Sequence, residues 1–139
     1  MKLALGGAIL LLMLLISLPI LWADDGDCWT VPLRQVVRVL DGDTLQAQLG
    51  IWLNLTATET IRVLGVDTPE RHGGTKEAGD AARAFTAAWL ARASDLTVTA
   101  CRRDSFGRLL GMVDGPEGSL GAALLREGHG VAYERGRGR

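Results

Sequence analysis

The chain has 139 residues, with 15 Lys and Arg against 16 Asp and Glu, two His and a formal net charge of −1. That length fits a single domain, and the near-neutral balance excludes a partner recognised by global positive charge alone. Only two cysteines are present, and neither has neighbours that suggest a metal site or redox catalysis.

From Leu3 to Trp22 the chain carries no charge and is dominated by Leu, Ile and Ala. Residues 1–23 therefore read as a signal peptide or an N-terminal membrane anchor: the run is long enough to span a bilayer, and Leu21-Trp22-Ala23 is a passable cleavage site. Both readings place Lys2 on the cytoplasmic side and send the remainder outward. The expected location is secreted or periplasmic, or membrane-anchored through residues 3–22 if uncleaved. Without Met1–Ala23, 116 residues remain, with 14 basic and 16 acidic side chains. They divide into a lead-in over 24–35, a folded domain over 36–133 and a Gly/Arg tail over 134–139. In an oxidising compartment Cys28 and Cys101 can pair, closing a loop that the chain-entropy treatment stabilises by roughly 4 kcal/mol. Two free, buried thiols are the alternative.

Val36 to Leu40 is a short β-branched run ended by the turn Asp41-Gly42-Asp43. Leu45, Ala47 and Leu49 alternate with Gln46 and Gln48, the period of a half-buried strand. Gly50 to Thr60 continues in strand-like residues, and Ile61 to Val66 is a further strand. Short links between such strands imply antiparallel pairing. Thr75 to Ala93 reads as a helix with Thr75 as N-cap and Ala78, Ala82, Phe85 and Trp89 on one apolar face. Leu96 to Ala100 and Leu109 to Val113 are two more strands. A short helix is expected from Ser119 as N-cap to Gly128 as C-cap, then an extended Gly130–Tyr133. The fold class is α+β: a small, strongly bent antiparallel barrel with two packed helices.

The chemistry-bearing residues stand where strands end. Asp43 and Asp67 offer hard oxygen donors without His or Cys, which favours calcium or magnesium over zinc. Pro69 keeps Thr68 out of helical geometry, leaving the Thr68 carbonyl available to a cation. Glu70, just past the proline, is placed to deprotonate a water. Each acid alone would pass for a turn residue. Arg62 is different: a guanidinium inside an apolar strand is costly without an anionic partner. Together with Arg108 after the Phe-Gly turn, it would suit a phosphodiester whose charge shifts onto an equatorial oxygen. His72 and His129 sit beside glycines and read as surface residues.

In the order "VLDGDT", "IRVLGVDTPE", "DSFGR" and "LLREGHGVAY", with "AARAFTAAWL" between the second and third, the chain resembles the staphylococcal-nuclease-like (thermonuclease) family from about Val36 to Tyr133. The resemblance implies an OB-fold-type five-stranded barrel and Ca²⁺-dependent hydrolysis of DNA and RNA by a monomer. It implies Asp43, Asp67 and the Thr68 carbonyl as calcium ligands, Glu70 as general base, and Arg62 and Arg108 as the arginines on the scissile phosphate. Tyr133 stands at the place of a nucleotide-contacting tyrosine. Phe106 replaces a tyrosine beside the phosphate arginine, keeping a ring but losing a hydroxyl. Where the best-known members continue into a third helix, only "ERGRGR" follows Tyr133, and Gly50 to Thr60 is longer than the family's usual hairpin connection. The rival expectation is a non-catalytic OB-fold module that binds single-stranded nucleic acid or a protein partner. Its mark would be loss of a site residue, and all six polar positions are present.

Overall fold

A computed structural model describes residues 27–133; the expected N-terminal segment and the Gly/Arg tail lie outside the described residues. Strands β1 (Trp29–Asp41), β2 (Thr44–Trp52), β3 (Leu55–Val63) and β4 (Gly65–Asp67) come first. A 3-10 turn (Gly73–Thr75) leads into helix α1 (Lys76–Arg92), then come β5 (Thr97–Arg103), β6 (Leu109–Gly115), β7 (Gly118–Ser119), helix α2 (Leu120–Arg126) and β8 (Val131–Tyr133). Among the described residues no helix is long and apolar enough to cross a membrane.

The first strand begins at Trp29, so residues 29–35 of the expected lead-in belong to the sheet. Register shifts along β1 bend it, letting its first part (Trp29–Pro32) pair with β5 and its later part (Leu33–Asp41) with β2. Gly50 to Thr60 is strand, as its residues lead one to expect, on either side of a tight turn. Gly50–Trp52 ends β2 and Leu55–Thr60 begins β3, in register from Trp52↔Leu55 to Thr44↔Arg62, so only Leu53 and Asn54 form the turn. The strand expected over Ile61–Val66 breaks at Leu64, where Gly65 at φ +80° reverses the chain into β4.

Five strands close into a barrel in the order β3-β2-β1-β5-β6, with β6 returning to β3. The closing pairing is parallel, Ile61↔Leu109, Arg62↔Leu110 and Val63↔Gly111, unlike the antiparallel pairs around the rest of the barrel. Inside lie Leu45, Ala47, Leu49, Ile61, Val63, Val98 and Val113, following the alternation in β2. Helix α2 adds Leu120 and Leu124, both fully buried, each contributing about 1.5–3 kcal/mol by burial. A disulfide between Cys28 and Cys101 ties the start of β1 to β5.

Helix α1 turns Ala82, Phe85 and Trp89 inward as expected but not Ala78, in whose place Gly79 is buried. Gly79, Ala82, Thr86, Trp89 and Leu90 are buried, Phe85 is half-buried, and Ala78 is exposed. The reason is close backbone contact. A Cβ on Gly79 would lie 2.6 Å from the Glu70 carbonyl oxygen and 2.7 Å from that of Pro69. Thr75 precedes the helix but does not cap it; its hydroxyl donates backward to the carbonyls of Glu70 (2.9 Å) and His72 (3.2 Å). Ser119 caps α2 as expected, accepting from Ala122 N, and Gly128 follows at φ +72°. His129 is half-buried against Phe85, with ring centroids 4.7 Å apart, and is not the open surface residue expected.

Candidate active site

Three polar segments meet where β1, β3 and β4 end. The β1–β2 turn carries Asp41 and Asp43. It is fastened to α1 by Thr86, whose buried hydroxyl donates to the Gly42 carbonyl, and by Arg83, whose Nε donates to the Val39 carbonyl at 2.8 Å. Gly42 has to be small, because a Cβ there would come within 2.8 Å of both Ala82 and Thr68 side chains. The turn is thereby pressed against the segment that bears Thr68.

Asp43 is 6% exposed, with a partner on each carboxylate oxygen. Its Oδ1 accepts from the Thr44 hydroxyl (3.0 Å), and its Oδ2 accepts from Thr68 N–H (2.8 Å) and faces Arg62 Nη1 at 2.8 Å. Arg62 Nη2 reaches Asp67 Oδ1 at 2.7 Å, while Nη1 also donates to the Val66 carbonyl at 3.0 Å. The guanidinium expected to need an anionic partner has two. Asp67 is held in place from the other side by the β4–β8 pairing, where it lies opposite Val131.

Arg108 is fixed by a residue that the sequence reading passed over. Asp104 Oδ1 accepts from Phe106 N–H (2.9 Å) and Arg108 N–H (3.0 Å), and its Oδ2 accepts from Arg108 Nε (2.8 Å). Burial pushes the Asp104 carboxyl up, but the hydrogen bonds from Arg108 and Phe106 outweigh it and hold the group below the usual carboxylate range. The available signal was an Asp two residues before a Phe-Gly turn, the pattern of a side chain bonding the backbone ahead of it. Asp41 was read only as a turn former, yet it lines the same pocket as the six expected residues.

That pocket, about 230 Å³, is bounded by Asp41, Asp43, Thr44, Arg62, Asp67, Thr68, Pro69, Glu70 and Arg108. Glu70 is largely exposed, and its Oε2 lies 3.2 Å from His72 Nε2, a contact unforeseen from the sequence. A neighbouring pocket of about 220 Å³ shares Arg62, Asp67 and Arg108 and adds Val63, Leu64, Leu110 and Tyr133. Tyr133 reaches it through the pairing of Gly65 with Tyr133. Phe106 lines neither pocket; its ring is 80% exposed and lies 5.5 Å from Arg108 Cζ.

The donor chemistry fits a hard cation. The pocket offers carboxylates from Asp41, Asp43, Asp67 and Glu70, with no nitrogen or sulfur ligand among its walls. Side chains alone do not complete such a site: among the described residues no group of three or more His, Cys, Asp or Glu is gathered closely enough to hold a metal. A cation here would draw on main-chain oxygen and water as well as on two carboxylates, as calcium commonly does.

The chain matches the family model described as "Staphylococcal nuclease homologue" over residues 60–138. It is similar to an "Uncharacterized endonuclease" of Escherichia coli O157:H7, 30% identical over 127 residues that cover 90% of this chain and 72% of the relative. The same identity and coverage hold for an "Uncharacterized endonuclease" of Escherichia coli. With a closed five-stranded barrel, two helices and a family match over more than half its length, the chain belongs to the staphylococcal nuclease homologue family.

Proposed function

We propose that the protein is an exported nuclease that hydrolyses phosphodiester bonds of DNA and RNA with Ca²⁺. The observation that carries this reading is the convergence of two arginines with the carboxylates of Asp43, Asp67 and Glu70 in one pocket, on segments far apart in the chain. Opposed charges at such density suit a reaction in which negative charge grows on phosphorus-bound oxygens beside a base.

Arg62 and Arg108 bind the non-bridging oxygens of the scissile phosphate and carry the charge that develops there. Glu70 accepts a proton from water as the water oxygen attacks phosphorus in line. The bond from phosphorus to the 5′ oxygen breaks with its electron pair going to that oxygen, which takes a proton from solvent, leaving a 3′-phosphate and a 5′-hydroxyl. Calcium, held by Asp43, Asp67 and the Thr68 carbonyl, would supply charge neutralisation beside the attacked phosphate. Tyr133, with Val63, Leu64 and Leu110, forms the apolar wall against which the attached nucleoside rests.

The test is degradation of single-stranded DNA and of RNA by the full chain with Ca²⁺ and with excess chelator. Turnover in Ca²⁺ that stops on chelation, and falls about 100-fold or more in E70Q, supports the reading. Equal activity in both buffers, or none in either, overturns it.

A further inference from the structure

Beyond the catalytic pocket, one strongly charged depression is unused by the mechanism. It is an open groove of about 500 Å³ lined by Arg38, Val39, Arg71, Asp80, Arg83, Ala84 and Ala87. Three guanidinium groups face one carboxylate in a chain whose overall charge is slightly negative. That carboxylate is also shared, with Arg71 Nε on Asp80 Oδ1 at 2.8 Å and Lys76 Nζ on Oδ2 at 2.5 Å.

The arginines are anchored by part of each fork and leave the rest outward. Arg83 spends Nε on the Val39 carbonyl (2.8 Å) and Arg38 spends Nε on Gln46 Oε1 (3.1 Å). Arg71 spends Nε on Asp80 and Nη1 on the Leu40 carbonyl (3.1 Å). Among the described residues, both Nη groups of Arg38 and Arg83 have no hydrogen-bond partner. Such half-anchored forks are oriented before a ligand arrives, which lowers the ordering cost of a charge-assisted bond to an anion. The floor is Ala84 and Ala87, without a ring on which a base would stack.

The groove adjoins the catalytic pocket. Arg71 follows Glu70 directly, and Asp41 of the pocket lies two residues beyond Val39 of the groove, with Arg71 tied to Leu40 between them. From these observations we propose that Arg38, Arg71 and Arg83 form a phosphate-binding track that holds the polynucleotide strand beyond the scissile bond, reading its backbone and not its bases. This rests on the reading of the chain as a polynucleotide hydrolase. The track would favour long strands over short ones and would make binding salt-dependent.

The full chain and the variant R38Q/R83Q are compared in two measurements. The first is binding of a fluorescent single strand of about 30 nucleotides in chelator, across a salt series. The second is kcat/KM with Ca²⁺ on that strand and on a trinucleotide. Binding is expected to weaken about tenfold at low salt, with the slope of log K against log salt shallower by about 1.4, the amount for two lost phosphate contacts. The ratio of kcat/KM for the long strand to that for the trinucleotide falls with it. The charge-retaining R38K/R83K keeps the slope, which separates lost contacts from lost folding. Unchanged affinity and slope in R38Q/R83Q, or an equal loss on both substrates, overturns the track. A wild-type chain that binds the long strand with the expected slope but cleaves nothing retains the track and removes the hydrolase reading.

Discussion

Asp43 and Thr68 lie 25 residues apart in the chain, and the Thr68 N–H donates to Asp43 Oδ2 at 2.8 Å. This bond joins the β1–β2 turn to the segment after β4, so the two candidate ligand positions move as one unit. The same Asp43 oxygen faces Arg62, which in turn holds Asp67. The two proposed cation ligands and the arginine proposed to bind phosphate thus share one electrostatic unit.

Replacing Arg62 with Lys tests that unit. A single ammonium cannot span Asp43 and Asp67 while donating to the Val66 carbonyl, as the fork does. R62K is expected to lower kcat by about 100- to 1,000-fold, the usual cost of losing one transition-state donor. Steady-state kinetics on single-stranded DNA measures it, and a loss below tenfold would show that the fork is dispensable.

Asp104 acts through Arg108. Its side chain is completely covered and accepts three hydrogen bonds from the turn it organises. D104N replaces one acceptor with a donor and releases Nε of Arg108. The expected result is a kcat/KM lower by about 10- to 100-fold, from misplacement of the arginine proposed to grip the scissile phosphate. Restoration of nearly full activity in D104E, against none in D104A, would mark the effect as positioning by the carboxylate.

Gly79 allows helix α1 to pass against the Pro69–Glu70 carbonyls. Alanine is the better helix former by about 1 kcal/mol, so propensity alone forecasts stabilisation by G79A. The added Cβ would meet backbone oxygen at 2.6 Å, and backbone cannot rotate away as a side chain tip can. G79A should therefore melt at a lower temperature and lose activity as Glu70 is displaced. A raised Tm with full activity would contradict this.

Asp80 gives the clearest acid dependence. Hydrogen bonds from Lys76 and then Arg71 hold its pKa down from 3.8 to about 2. Because the folded value lies below the ordinary one, the stabilisation is fully present above about pH 4 and is lost as pH falls through about 2. Thermal melts of the wild type and D80N should converge across that window and stay apart by a constant amount at higher pH. A gap that persists unchanged to the lowest pH would exclude this carboxylate as the source.

Much of this arrangement was legible along the chain. The alternation Leu45, Ala47, Leu49 marked a strand with one buried face, and Ser119 with Gly128 marked both ends of α2, because periodicity and capping depend on neighbours only a few residues away. Arg62 in an apolar strand announced a nearby anion for an energetic reason that needs no coordinates. Other features escaped the same reasoning. The strand character of Gly50 to Thr60 was legible but the turn within it was not, because Trp52, Leu53 and Leu55 give no turn signal; Leu53 takes a positive φ without a glycine. Ala82, Phe85 and Trp89 of the expected α1 stripe face the core but Ala78 does not, since periodicity cannot foresee that backbone carbonyls will lie against Gly79.

By itself the sequence determined the kinds of groups available and the order of the segments that carry them: hard oxygen donors, two arginines at strand ends and a carboxylate beyond a proline. Only the tertiary structure decided which of them meet. Parallel closure of β6 on β3 sets Arg62 beside Leu110 and so brings Arg108, 46 residues later, to the same pocket. That register depends on the bends in β1 and on the packing of two helices. These are long-range terms summed over the whole barrel, and no short stretch of chain encodes them.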